Sequence, residues 1–300
     1  KASYSGTGSG VWYSSNGGNS WTGLNTGLIS DGFNRVAYYD IKMNSSGLGY
    51  IVGSTYKPTN NTYEGFILRT TDMGINWTAS QFPGEKYDAI LLLNNFDVVV
   101  FGNVGETYED NNVVQRRSSD SGASWMSSTP ISNSSSYTYF YDAVYSTSYD
   151  AIYIFAGYTC YKSTDNGLSY QRVANQLDVS VSEITFDSKP PNIDSQLGIA
   201  WLKWNTKPYL MTYDGGQTWH KKSLPQSMGY IWLVGIAEEV IYMIVNQSKL
   251  YKCTDLGETW DQLSLPVYNS GLQALNVYNK DVVVLNSYKN LVSTTDGGSS

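Results

Sequence analysis

Three aspartates set among tyrosines are the residues of this sequence best suited to acid–base chemistry. Asp40 lies in Tyr38-Tyr39-Asp40-Ile41, Asp88 in Tyr87-Asp88-Ala89 and Asp142 in Tyr141-Asp142-Ala143. Cleaving a glycosidic bond needs two carboxyl groups roughly 5–10 Å apart, one giving a proton while the other stabilises or attacks. Aspartates at the starts of inner strands also satisfy backbone donors, and that structural role is the one expected for these three. Other chemistries lack parts. His220 directly follows Trp219 and reads as a surface residue at a strand edge, so no Ser-His-Asp triad is expected on it. Cys160 and Cys253 form neither a disulfide framework nor a metal pair, and a zinc site lacks ligands. Glu106, Glu109 and Asp110 cluster in one acidic segment that could hold calcium, but a solvated loop is the expected reading. Gly6-Thr7-Gly8-Ser9-Gly10 precedes a strand rather than a helix, so no phosphate loop follows from it. No metal and no cofactor are expected.

Whatever positions these residues is set by a repeat. Ser14-Ser15-Asn16-Gly17-Gly18-Asn19-Ser20-Trp21 aligns with Thr70-Thr71-Asp72-Met73-Gly74-Ile75-Asn76-Trp77. The same pattern recurs at Ser118 to Trp125 around Asp120, at Ser163 to Tyr170 around Asp165, at Thr212 to Trp219 around Asp214 and at Cys253 to Trp260 around Asp255. A seventh copy, Thr294-Thr295-Asp296-Gly297-Gly298-Ser299-Ser300, stops where the aromatic would come. An Asp or Asn with Gly two residues on suits a tight hairpin, because the carboxylate accepts backbone N–H groups and Gly takes positive φ. The closing aromatics Trp21, Trp77, Trp125, Tyr170, Trp219 and Trp260 can pack across the hairpin, each indole N–H seeking an acceptor. Cys253 fills a Ser/Thr position, which predicts a weaker local bond and a partly buried thiol.

The acidic or amide residues of successive copies lie 56, 48, 45, 49, 41 and 41 residues apart. That period fits one four-stranded propeller blade. Strands are expected over Arg35 to Lys42, Gly49 to Thr55, Gly65 to Thr70 and from Trp77, and again over Tyr230 to Ile236, Glu239 to Val245, Lys249 to Cys253 and from Trp260. The expected fold is an all-β, seven-bladed β-propeller of four-stranded antiparallel blades, a single domain over residues 1–300 with the repeat turns between strands three and four. The first and last units are incomplete. A closed ring would therefore need the polypeptide to continue past Ser300 with an aromatic strand, and with the strands missing from the first blade.

Composition agrees and excludes some partners. The 300 residues are 41% hydrophobic, with 26 Tyr, 9 Trp and 28 Gly, a mixture that suits half-buried sheets and frequent turns. Only 15% are charged and the net charge is −7, which argues against a nucleic-acid partner. No run of 18 apolar residues occurs, so no membrane-spanning helix is expected. Sequons at Asn44, Asn60, Asn76, Asn133 and Asn246 would accept N-glycans in a secreted protein. With the low charge and the Ser/Asn/Tyr richness they favour an extracellular or cell-surface location.

The pattern Ser/Thr-x-Asp-x-Gly-x-Ser/Thr-Trp is the Asp box, or BNR repeat, and over essentially its whole length the chain resembles the Asp-box propellers. Among these are sialidases, family 74 xyloglucanases, the sortilin luminal domain and photosystem-assembly propellers. The resemblance implies that the boxes are structural and lie on one face, while ligands are taken on the opposite face, at loops between strands two and three and between blades. Asp40 is the one residue that resembles a glycosidase carboxylate of this group. A sialidase would need three converging arginines. The five here are Arg35, Arg69, Arg116, Arg117 and Arg172, and Arg69 and Arg117 share one repeat position on different units. The Arg-Ile-Pro element is also absent, so that activity is not expected. On the implied ligand face, residues 56–64 and 104–112 read as long links carrying Tyr56, Tyr63 and Tyr108, joined by Tyr139, Trp201 and Trp204. Aromatic rings beside amides suit a sugar or a protein partner. The resulting expectation is a non-catalytic binding or assembly module, as a surface module or part of an envelope or filament, against a glycoside hydrolase as the alternative.

Overall fold

The computed structural model describes residues 11–16, 19–23, 35–57, 62–94, 96–104, 112–131, 140–146, 150–156, 159–173, 183–187, 196–202, 208–265, 271–287 and 291–299. Every regular element among them is a strand. The first sheet has two, β1 (Trp12–Tyr13) and β2 (Thr22–Gly23). The second runs β3 (Arg35–Met43), β4 (Gly49–Lys57), β5 (Thr62–Thr70) and β6 (Thr78–Pro83). The third runs β7 (Glu85–Leu92), β8 (Val98–Val104), β9 (Asn112–Ser118) and β10 (Thr129–Pro130). The fourth contains β11 (Phe140–Ser146), β12 (Ala151–Ala156), β13 (Thr159–Ser163) and β14 (Gln171–Arg172). In the fifth are β15 (Glu183–Phe186), β16 (Gly198–Trp201), β17 (Tyr209–Thr212) and β18 (His220–Lys222). The sixth holds β19 (Ile231–Ala237), β20 (Val240–Val245), β21 (Lys249–Cys253) and β22 (Asp261–Leu263), and the last holds β23 (Leu272–Val277), β24 (Val283–Ser287) and β25 (Leu291–Thr294).

In the sheets of four, strands pair with their chain neighbours in simple meanders. The second strands β12 and β20 are buried at every position. Such strands read as unbroken apolar runs because both of their faces are covered. The fourth strands β14, β18 and β22 are short and largely exposed. Residues 1–143 with 166–170 form one compact unit, and residues 144–165 with 171–300 form another, so the division runs through β11 and the fourth repeat turn. In the first unit Val36, Ile51, Phe66 and Leu68 make one apolar cluster, and Tyr50, Val52, Ile67, Tyr87, Ile90, Val98 and Val100 make a second. The second unit has its own cores, the largest around Ile199, Met211, Ile241 and Met243.

The first strands carry a recurrent irregularity. Register slips by one residue between Tyr38 and Asp40 in β3, between Tyr87 and Ala89 in β7, between Ile231 and Leu233 in β19 and between Leu272 and Ala274 in β23. A β-bulge of this kind re-aims a side chain and steepens the local twist. In the third sheet the carbonyl of Lys86 closes on Gly102, where any side chain would collide with it.

Candidate functional site

Each repeat turn is a closed hydrogen-bonded unit. In the second, the Thr70 hydroxyl donates to Asp72 Oδ1 at 2.7 Å and accepts from the N–H of Gly74 at 3.0 Å. Asp72 in turn accepts from the Asn76 N–H at 2.9 Å and from its side-chain amide at 2.7 Å. Ser118, Asp120, Gly122 and Ser124 repeat this arrangement, as do Thr212, Asp214, Gly216 and Thr218. Ser163 donates to Asp165, and the last turn is already closed by Thr294, Asp296, Gly298 and Ser299. Asn16 substitutes for aspartate by accepting from the Ser20 N–H and donating to its hydroxyl. In the sixth turn the Cys253 thiol takes the hydroxyl's place, donating to Asp255 at 3.0 Å and accepting from Gly257 at 3.0 Å, and it is fully buried rather than partly so.

Two consecutive residues adopt positive φ in these turns, for example Met73 at 61° and Gly74 at 89°, or Ser121 at 58° and Gly122 at 74°. Hydrogen bonds to the carboxylates, led by those from Asn76, Ser124 and Thr259 respectively, hold Asp72, Asp120 and Asp255 down at about 2. A carboxylate so occupied stays ionised, with its oxygens taken up by donors of its own turn. The aromatics that close the turns pack inward. Trp77 donates its indole N–H to the Gly74 carbonyl at 2.9 Å, and Tyr170 donates to Gln115 at 2.7 Å. Trp125 meets Tyr50 edge-on, and Trp219 meets Phe155 in the same way. Trp260 packs on the core around Met211 and Tyr251. Trp21 departs from this pattern and is 59% exposed, its sheet having only two strands among the described residues.

At the other end of β5, seven residues or more from its turn, lies a cluster of aromatic and charged side chains. Residues 56–64 are not one long link: β4 extends to Lys57 and β5 begins at Thr62, so Tyr56 and Tyr63 face each other as a cross-strand pair. Their rings are 5.0 Å apart and tilted. β-branched and aromatic residues extend such a hairpin because each cross-strand pair adds contact. From β7 of the next sheet, Lys86 lays its ammonium 3.6 Å from the Tyr63 ring centre. Burial lowers the pKa of Lys86, opposed by the charge of Asp88 two residues on. Asp88 is the bulged residue of β7, is partly buried, and makes no hydrogen bond among the described residues. Burial raises its pKa to about 6, with Lys86 pulling the other way.

The three candidate aspartates are therefore not equivalent. Asp40 stands one residue past its bulge and is fully engaged: it accepts from the Ile41 N–H at 2.8 Å, from Lys42 at 3.3 Å and, across to β7, from the Ile90 N–H at 3.1 Å. Asp142 accepts from the Ala143 N–H at 2.9 Å. Trp201, expected on the ligand face, is instead a core residue at 3% exposure, since β16 is covered on both faces. Tyr108, Tyr139, Trp204 and the acidic segment Glu106 to Asp110 lie outside the described residues, as do Asn60 and Asn133. Asn44 caps its own turn through Ser46 and Leu48, Asn76 serves its repeat turn, and Asn246 bonds to Met228 and Tyr230. His220 is exposed on β18 beside Tyr213. No group of three His, Cys, Asp or Glu residues suited to a metal occurs among the described residues.

Two features escaped the sequence. One is a buried network in the third sheet: Arg116 donates to Glu85 at 2.6 Å, to the Tyr87 hydroxyl at 2.8 Å and to the Met126 carbonyl at 2.6 Å, while Tyr87 donates to Glu85. The other is a latch onto the next turn. Tyr50 and Arg69, paired across β4 and β5, both donate to the Ser121 carbonyl. Tyr242 and Lys252, paired across β20 and β21, reach the carbonyls of Lys280 and Gly297. Its signal in the sequence was a Tyr and a cation at one register position, which becomes visible only once strands are paired.

No family model matches this sequence, and no curated protein matches it either. Solved structures do. YCF48 bound to a D1 peptide is similar with a TM-score of 0.67 at 18% identity, covering 88% of this chain and 79% of that one. YCF48 from Cyanidioschyzon merolae gives 0.64 at 15% identity, covering 88% and 84%. An ancestral GH74 enzyme gives 0.62 at 16% identity over 99% of this chain and 42% of its own. These neighbours are β-propellers, and the meanders of four antiparallel strands described above give this chain the same fold.

Proposed function

We propose that this chain is a seven-bladed Asp-box propeller that acts without catalysis, as a binding or assembly module outside the cell or on its surface. Its ligand is taken at the sheet ends opposite the repeat turns. The observation that carries this reading is the Tyr56–Tyr63 pair roofed by Lys86, with the uncommitted carboxylate of Asp88 beside it. Aromatic faces next to one cation and one anion suit a protein segment, whose backbone and side chains present both hydrogen-bonding signs. A peptide-bound neighbour supports testing peptides first, with glycans as the second class. The alternative, a glycoside hydrolase, rests on Asp88, whose raised pKa would suit a proton donor.

Arrays of peptides and of oligosaccharides, followed by a hydrolysis screen on every hit, separate the two. A bound peptide whose affinity falls roughly tenfold in Tyr63→Ala and Lys86→Met, each change removing about 1.4 kcal/mol, supports the module. Turnover of a glycan that disappears in Asp40→Asn or Asp88→Asn would sink it.

A further inference from the structure

Among the described residues, asparagine caps the hairpin between the first and second strands in the second, third and last sheets. Asn94 accepts from the N–H groups of Phe96 and Asp97, and Asn279 from those of Asp281 and Val282. Asn44 accepts in the same way from Ser46 and Leu48, at 3.1 Å each, and also from the Ser46 hydroxyl at 2.7 Å. Such a cap uses the side-chain oxygen and leaves the amide nitrogen to be placed elsewhere. The Asn94 nitrogen donates to Asp97 at 2.7 Å, whereas that of Asn44 has no partner among the described residues. Of the three, Asn44 alone heads a sequon, Asn44-Ser45-Ser46, because Phe96 and Asp281 stand where the hydroxyl residue must come. The nitrogens of the other described sequons are committed. Asn76 donates to Asp72 at 2.7 Å inside its repeat turn, and Asn246 donates to Met228 at 3.3 Å while packed against Gly229.

The surface beside Asn44 is apolar. Met43, Met73 and Ile75 are all exposed at this end of the second sheet. Met73 donates its N–H to Gly47 at 3.0 Å and lays its side chain against that glycine, while the Met43 methyl lies against Gly49 and Gly74. In the other copies of the repeat the positions of Met73 and Ile75 hold at most one large apolar residue, as in Asn166 with Leu168 or Leu256 with Glu258. We propose that Asn44 carries an N-linked glycan whose first sugars cover the Met43, Met73 and Ile75 patch, an assignment that rests on the extracellular location proposed above. Attachment joins Asn44 Nδ2 to the anomeric carbon of a sugar carried on a polyprenyl phosphate or diphosphate. The bond from that carbon to the phosphate oxygen breaks, its electron pair leaves with the phosphate, and one amide hydrogen departs as a proton. The product amide keeps its oxygen, so the bonds from Ser46 and Leu48 survive. A bulky, solvated sugar beside an exposed apolar patch hides that patch from other chains. Met43 pairs with Gly49 at the end of β3 and β4 opposite the Arg35–Tyr56 pair, so the glycan leaves the Tyr56–Tyr63 site open.

The test secretes the full chain from cells that attach N-glycans and maps its glycopeptides by mass spectrometry. Asn44 is expected to be largely occupied, and Asn76 and Asn246 largely bare. Enzymatic release of the glycan converts Asn44 to aspartate, and Asn44→Asp is the matching variant; both keep the oxygen that caps the turn. In either form, dilute peroxide should oxidise Met43 and Met73 several-fold faster than in the glycosylated chain, with the buried Met211 as the unchanged reference. Occupancy of Asn76 or Asn246 equal to or above that of Asn44 would overturn the proposal. So would equal oxidation of Met43 and Met73 with and without the sugar. Protein from its native source separates two failures. A bare Asn44 beside other glycosylated sequons removes this assignment alone, whereas no glycan at any sequon removes the extracellular reading with it.

Discussion

Asp88 and the Glu85–Arg116 pair show two ways of placing charge under partial cover, and they predict opposite things. Asp88 has no hydrogen-bonding partner among the described residues, and burial raises its pKa to about 6. A carboxyl whose folded pKa lies above its unfolded value binds its proton more tightly when folded, so stability falls as pH rises from about 4 through 6. Asp88→Asn should therefore stabilise the chain at pH 7.5 by roughly 1 kcal/mol, after allowance for solvent screening, and do nothing at pH 4. Melting curves at the two pH values check this, and a gain of equal size at both would refute the cause assigned. Arg116 and Glu85, by contrast, keep only about a tenth of their side-chain surface exposed and are joined at 2.6 Å. Removing one partner leaves the other charged and unpaired, at a cost of about 3–5 kcal/mol. Arg116→Met should show that loss in urea unfolding, and the double variant with Glu85→Gln should recover part of it. The sequence revealed Asp88 as a candidate but not its bulge, because a register slip depends on the partner strand. It gave no hint of Glu85 and Arg116, whose residues are thirty-one apart and meet only through sheet pairing.

At the scale of elements, the repeat turns bring together carboxylates with unusually low pKa values. Asp72, Asp120 and Asp255 sit at about 2 because serine, threonine and asparagine groups hydrogen-bond their ionised form. Their folded pKa lies below the unfolded value near 3.8, so the stability they contribute is complete above pH 4 and is lost as pH falls towards 2. A variant with all three changed to Asn should melt lower than the parent at pH 6. The gap should narrow between pH 4 and pH 2, as followed by circular dichroism. Strand positions were readable to within a residue or two, as β3 (expected over Arg35 to Lys42) and β21 (Lys249 to Cys253) show. The hairpin of Tyr56 and Tyr63 was less readable. Pro58, Asn60 and Asn61 suggest a loop, while cross-strand aromatic pairing carries β4 and β5 further than their turn chemistry implies.

For the molecule as a whole, the proposed function assigns folding to the repeat turns and ligand binding to the opposite sheet ends. A substitution at each end should then move different observables. Gly122→Ala puts a methyl group at φ 74° and 2.5 Å from the Tyr50 ring, which should cost about 2 kcal/mol or more while leaving ligand affinity unchanged. Tyr63→Ala should weaken ligand binding and change the urea midpoint little, since Tyr63 lies near the end of its strand, away from the buried stretch of β5. Parallel unfolding and binding titrations on the two variants decide the matter, and a swap of the two outcomes would place the site at the turns. The overall architecture was legible because one eight-residue pattern recurs every 41 to 56 residues, the length of one four-stranded sheet. The Tyr56, Tyr63 and Lys86 cluster was not, because it has no recurring pattern and its residues come from neighbouring sheets.

The latches onto successive turns are made to backbone carbonyls. The Ser121 carbonyl is held by Tyr50 and Arg69 together, whereas the third sheet presents Val99 and Arg117 at the same register, and Arg117 Nε and Nη1 find no partner among the described residues. A unit with a Tyr and a cation at this register can therefore grip the backbone of the turn that follows it whatever side chains that turn carries, whereas a unit of the third sheet's type cannot.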